Sequence, residues 1–255
     1  MLFEPKTPPP PAGIDLRLGT VEDMIKDLEE AGVKSSLIVA DPPWSYGSAP
    51  GSMNPAKYKK DKFRPIGQTG VPKYSTLTMA EIAATMASTY AISREGSRLV
   101  VWCTWPQLGD WMAHANALRP WKYVTGGTWN KETSKDGGGG MGWHWLGRCE
   151  PVLVYRRGGK LTNRFDTLTN NWSSPAEAHS VKPWKWMANW LLRWTNPGEL
   201  VVDVYAGLGP LAVACYATGR AYVGAEIDPD RRHHALCRLG QFKCTYDQGF
   251  YNGPK

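Results

Sequence analysis

Two short stretches hold the residue types best suited to chemistry. The first is Asp41-Pro42-Pro43-Trp44, directly after the apolar run Leu37-Ile38-Val39-Ala40. A short Val- and Ile-containing run of this kind reads as a buried strand. Two prolines cannot extend a sheet ladder, because neither has an N–H to donate. The strand must therefore stop and present an acid, two rigid carbonyls and an aromatic plane at its carboxyl end, where open α/β sheets bind ligands. Such a set suits an exocyclic amine on a nucleobase, whose lone pair is delocalised into the ring. The Asp41 carboxylate and the Pro42 carbonyl can each accept one amine N–H. That favours a tetrahedral nitrogen and stabilises the positive charge that develops on it during attack. Pro42 and Pro43 fix the acceptors in place. Trp44 is expected to stack on the base, worth about 1–3 kcal/mol.

The second stretch is Asp203-Val204-Tyr205-Ala206-Gly207-Leu208-Gly209-Pro210, with Glu226 further on. Residues 200–205 read as a buried strand, 206–210 as a turn and 211–218 as a helix closed by Gly219. Residues 220–226 read as a second strand, and Pro229 opens a last helix. This is a βαβ unit with a Gly-rich first turn. Gly207 and Gly209 let the backbone approach a ligand, and the helix N-terminus offers free N–H groups. Glu226, ending the second strand, can accept hydrogen bonds from two ribose hydroxyls. A dinucleotide is the obvious competing ligand. Its fingerprint needs a third glycine, and here Pro210-Leu211-Ala212 follows with only Ala212 as a substitute. No hydride-transfer site is evident either.

The remaining elements must carry these turns. Residues 20–32 have helical spacing in Val21, Met24, Ile25 and Leu28, with Gly32 as the stop. Thr78 and Glu81 form a capping box ahead of another helix. Residues 99–102 read as a strand, Pro106 fits the first turn of a helix running to about Leu118, and 121–129 and 150–155 read as further strands. Residues 161–172 are expected to form a hairpin arm. Pro183 is expected in the first turn of a helix carrying Trp186, Met187, Trp190, Leu191 and Trp194.

Composition narrows the partner class. The 255 residues include 42% hydrophobic side chains and carry a formal charge of +7. That fits one large α/β domain with a polyanionic partner such as nucleic acid. Residues 1–13 are Pro-rich and read as an extended arm. The long irregular segment 45–74 interleaves Lys57, Lys59, Lys60, Lys62 and Arg64 with Tyr58 and Phe63, a pattern for gripping phosphates and stacking bases. Arg156 and Arg157 form a second basic turn. A further irregular segment, 130–147, centres on four consecutive glycines from Gly137 and carries His144, for which no co-ligands converge. The five cysteines form no Cys-x-x-Cys pair, so neither zinc nor a disulfide framework is indicated and a reduced, cytoplasmic location is expected. No secretory signal or membrane span is read.

The order of the two stretches, Asp-Pro-Pro-Trp first and the Gly-rich turn last, resembles the beta-class, circularly permuted amino-methyltransferases that use S-adenosylmethionine. The likeness is greatest to the MT-A type, named for the messenger-RNA adenosine methyltransferase, and covers roughly residues 35–240. It includes Tyr74-x-Thr76, the strand beginning at Leu99, Lys122-Tyr123-Val124-Thr125, and His179-x-x-Lys182-Pro183. Tyr205 stands in the Phe position of the family's Asp-x-Phe-x-Gly-x-Gly turn, and Pro210 where the family often has Thr or Ser. The resemblance implies a Rossmann-like class I methyltransferase fold: a mostly parallel central sheet with helices on both faces. It implies Asp41, Pro42, Pro43 and Trp44 as the catalytic set. It implies S-adenosylmethionine held by Asp203, Tyr205, Gly207, Gly209, Glu226, His179 and Lys182, with Lys182 near its methionine carboxylate. It implies a metal-free transfer to the N6 amine of adenine in DNA, with segments 45–74 and 130–172 choosing the target and a homodimer as one assembly. RNA as substrate, cytosine-N4 methylation and a non-catalytic partner subunit are the alternatives. Asp41, rather than Ser, argues against the cytosine enzymes, and the intact pair of motifs argues against the scaffold.

Overall fold

The computed structural model describes residues 13–44, 76–114, 120–132, 149–158, 170–175 and 181–247. The elements run β1 (Ile14–Leu18), α1 (Val21–Glu30), β2 (Ser35–Ala40), α2 (Met79–Ser88), β3 (Ser93–Trp102), α3 (Trp105–His114) and β4 (Lys122–Glu132). They continue with β5 (Cys149–Arg156), β6 (Asn171–Pro175), α4 (Trp184–Trp194), β7 (Leu200–Asp203), α5 (Pro210–Thr218), β8 (Ala221–Glu226) and α6 (Pro229–Asp247). The strands form one eight-stranded sheet in the order β1-β8-β7-β2-β3-β5-β4-β6. Only β5 runs against its neighbours. From β7 the chain winds through α5 to β8 on one side. From β2 it winds through α2 to β3 on the other. The order of winding thus reverses between β2 and β7, the switch point where doubly wound sheets open a ligand crevice.

Side-chain alternation divides the core. Leu37, Val39, Val100 and Trp102 face α4, α5 and α6, while Ile38, Ala40, Leu99 and Val101 face α1, α2 and α3. All six residues of β2 are buried, as a central strand covered on both faces requires. The Thr78–Glu81 capping box forms in full. Pro106 falls in the first turn of α3, whereas Pro183 stands one residue before α4 as its N-cap. Residues 115–119, over which the sequence pattern continues α3, lie outside the described residues.

Two strands go beyond the sequence reading. β1 carries an Ile-Asp-Leu-Arg-Leu alternation and pairs in parallel with β8 at one edge. β6 begins at the end of the span expected to form a hairpin arm. It pairs in parallel with β4 instead, aided by Thr128 N–H donating to the Asn170 carbonyl at 2.8 Å. Its polar residues form a strand because β4 supplies the ladder, and Pro175 is tolerated at the end of an edge strand. The span 130–172 is also no single insertion, because β5 lies inside the sheet between β3 and β4. No helix among the described residues is long and apolar enough to cross a membrane.

Candidate active site

The sheet register brings the two predicted stretches together. Val39 of β2 pairs with Asp203 of β7, so Asp41 leaves the sheet two residues beyond the level of Asp203. Asp203 in turn pairs with Gly224 of β8, two residues before Glu226. Asp41 and Glu226 therefore leave the same edge of the sheet, two strands apart, on the order of 10 Å at ~4.8 Å per strand.

The turn after β2 is tight. Trp44 N–H donates to the Pro42 carbonyl at 2.9 Å, and Leu77 N–H donates to the Pro43 carbonyl at 3.0 Å. A carbonyl oxygen has two lone pairs, so Pro42 keeps one acceptor site. The ring of Trp44 departs from expectation. It is 5% exposed and packs edge-on against Trp111 of α3, with centroids 5.6 Å apart. Its place is in the core beside Trp111, where it offers no free face to a base.

Asp41 is held by Lys182. The ammonium nitrogen lies 2.8 Å from Asp41 Oδ2 and 3.2 Å from Glu150 Oε2, and it sits over the Trp102 ring at 5.2 Å from the centroid. Glu150 also pairs with Lys131. Burial works against the charged form of Lys182, but Asp41 and Glu150 outweigh it and raise its pKa. Burial pushes the Asp41 carboxyl above its usual range despite Lys182, although 31% of its side chain remains open to water, which tempers that push. For Glu150 the balance runs the other way. Burial would raise its pKa, and the two lysines bring it below the usual range.

The Gly-rich turn shows why each glycine is needed. Gly207 has φ +54° with nothing within 4 Å of a built Cβ, so open space lies above it. Gly209, at φ +69°, would bring a Cβ to 3.1 Å from Ala235 Cβ of α6. The first glycine thus faces open space, and the second lets α6 approach. Glu226 is anchored by two backbone N–H donors, Gly207 at 2.8 Å and Asp228 at 2.9 Å. Burial raises its pKa. Asp203 accepts the Tyr222 hydroxyl at 3.1 Å, and its pKa is pushed up to about 7, chiefly by burial, with Asp41 and Glu226 adding to the rise. Tyr205 packs half-buried against the α1–α3 side of the core. An anchored acid, open space over a left-handed glycine and a buried second acid fit the sugar and amino-acid ends of a nucleoside-like cofactor.

The basic residues fare differently. Lys57, Lys59, Lys60, Lys62, Arg64 and His179 lie outside the described residues. Arg156, the last residue of β5, stands opposite Arg98 in the middle of β3, away from the catalytic edge. Arg157 donates to the carbonyls of Tyr90 at 2.7 Å and Ser93 at 2.6 Å and lies over the Tyr90 ring. Arg156 and Arg157, expected to bind nucleic acid, are therefore not brought to the catalytic edge. Both lie at the opposite end of the sheet, and Arg157 ties β5 to the turn after α2. Sequence reasoning missed Glu150 and Lys131. Each is a lone charge near a strand end, which carries no local signal of its partners.

Residues 120–236 match the N6_N4_Mtase family model, described as DNA methylase. The type II methyltransferase M.Cfr9I of Citrobacter freundii is 32% identical over 91 residues, which are 35% of this chain and 30% of that protein's length. The M1.HpyAVI–SAM complex superposes with a TM-score of 0.64 at 16% identity, covering 89% of this chain and 99% of the other. TTHA0409 of Thermus thermophilus, complexed with S-adenosyl-L-methionine, gives 0.60 at 17% identity over 90% and 95%. The cytosine-N4-specific PvuII DNA methyltransferase gives 0.59 at 11% over 92% and 92%. The fold is the Rossmann-like methyltransferase fold.

Proposed function

We propose that this chain is an S-adenosylmethionine-dependent DNA methyltransferase acting on an exocyclic base amine, and that the amine is N6 of adenine. The observation that carries the reading is the register of β2 beside β7, which sets the Asp41 turn next to the Gly207–Gly209 turn. Glu226 would hold the cofactor ribose, since each oxygen that accepts a backbone N–H retains a second lone pair. Gly207 would leave room for the cofactor, with Asp203 toward its amino-acid end. The bound cofactor supplies an electrophilic methyl group. Asp41 and the Pro42 carbonyl accept the two amine N–H bonds and hold the lone pair toward it. An amine that accepts that methyl group must give up one proton, and Asp41 would be the base in reach. A base within duplex DNA must first be flipped out of the stack. The segments 45–74, rich in Lys and Tyr, and 133–148, rich in Gly and Trp, are the proposed target-choosing parts.

Cytosine-N4 methylation is the second reading. It is favoured by the family model, whose name spans both amines, and by the likeness to the PvuII enzyme. Incubation with labelled S-adenosylmethionine and, separately, duplex DNA, single-stranded DNA and RNA decides among these, followed by nucleoside analysis. N6-methyldeoxyadenosine is the expected product. N4-methyldeoxycytidine would replace the first reading, and label confined to RNA would overturn DNA as substrate. Asp41→Ala should bind cofactor and transfer nothing.

A further inference from the structure

Four charged side chains from four separate stretches alternate in sign across the site. Lys131 of β4 pairs with Glu150 of β5, Glu150 with Lys182 ahead of α4, and Lys182 with Asp41 after β2. Lys182 is 9% exposed at its side chain, and the path ends at Lys131, which is 30% exposed. We infer that Glu150, backed by Lys131, is a positioning residue that divides the Lys182 ammonium between two carboxylates and so keeps Asp41 basic enough to take the amine proton. This rests on the function proposed above.

A lysine paired with Asp41 alone would hold that carboxylate as a weak base. A buried carboxylate with no cation would take up a proton and cease to accept. Glu150 sets a point between these extremes, and Lys131 keeps Glu150 itself charged. The other acid near Asp41 is Asp203 at the end of β7, coupled to it through space. On Asp41, burial acts upward, Lys182 downward, Glu150 upward and Lys131 downward, in falling order of strength. The two outer residues therefore act on Asp41 with opposite signs. Their topology explains the reach. β5 is the antiparallel strand, so its first residues, rather than its last, stand at the catalytic edge.

The test uses the full-length chain with 13C-labelled aspartate, the Asp41 carboxyl resonance being assigned by its loss in Asp41→Asn. In Glu150→Gln the Asp41 midpoint moves to lower pH. In Lys131→Met it moves to higher pH. The acid limb of kcat moves with each, and Glu150→Gln loses at least about tenfold in kcat at neutral pH, within the range expected for a mistuned general base. KM for S-adenosylmethionine changes less than about threefold, as for a group acting on the transition state alone. Lys131→Met alters a partly exposed side chain and carries the test if Glu150→Gln does not fold. Unmoved midpoints, or midpoints moving in the same direction, in a protein that transfers methyl groups overturn this inference alone. Opposite displacements in a wild type that methylates no DNA overturn the proposed function and leave the division of charge standing.

Discussion

Replacing Lys182 with Met removes the cation and keeps most of the unbranched stem. With the ammonium 2.8 Å from Asp41 and 3.2 Å from Glu150, an effective dielectric constant of about 20 gives attractions of ~6 and ~5 kcal/mol. The cost of taking the ammonium out of water offsets several kcal/mol of that sum. Breaking a buried pair by deleting one partner accordingly costs about 3–5 kcal/mol. For a domain of this size that is a fall in Tm of roughly 6–20 °C. The loss depends on pH. Glu150 has a folded pKa below the ordinary carboxylate value, so its contribution is present above that value and fades as pH falls through the folded pKa. Lys182→Met removes this contribution, and its deficit is largest at neutral pH and shrinks in acid. Urea unfolding of the cofactor-free protein at about pH 7.5 and about pH 4 measures both effects, and a double-mutant cycle with Asp41→Asn isolates the pair. A deficit below about 1 kcal/mol at the higher pH, or a coupling energy near zero, would refute the reasoning.

Three further outcomes follow from the geometry. Asp203→Asn should stabilise the protein by ~4 kcal/mol above about pH 7, because a carboxyl pushed up to about 7 costs the folded state stability once the unfolded chain has ionised. The gain should grow from about pH 4 to about pH 7 in thermal melts and vanish below, while affinity for S-adenosylmethionine falls. Trp44→Ala should cost about 3–5 kcal/mol by emptying its site against Trp111; an unchanged Tm with a raised KM for DNA would restore the free stacking role. Arg157→Ala should cost ~3 kcal/mol by stranding the Tyr90 and Ser93 carbonyls. The salt dependence of DNA binding should stay unchanged, whereas a slope reduced by about one would mark a phosphate contact.

Local chemistry made much of the fold legible. The Thr78–Glu81 box, Gly219 and the apolar runs of β2, β7 and β8 each announce an element by what a backbone can or cannot do there. β1 was legible in principle, since Ile14, Leu16 and Leu18 alternate with polar residues, but five residues beside a Pro-rich arm are easily passed over. β6 was not legible. Asn171 to Pro175 has the composition of a turn and becomes a strand only because β4 offers an unpaired edge.

The site divides along the same line. Asp41, Gly207, Gly209 and Glu226 announce themselves because each ends a strand or needs a left-handed backbone, features written within a few residues. Trp44 misleads for the opposite reason. An aromatic after two prolines has the makings of a stacking surface, and only the packing of α3 shows that Trp111 already occupies its edge. Glu150 and Lys131 are silent locally, since a charge at the mouth of a strand is ordinary. Their meaning depends on β5 running backwards, which places its first residues beside the end of β3 and within reach of Lys182. On the proposed division of charge, the antiparallel β5 contributes chemistry as well as packing.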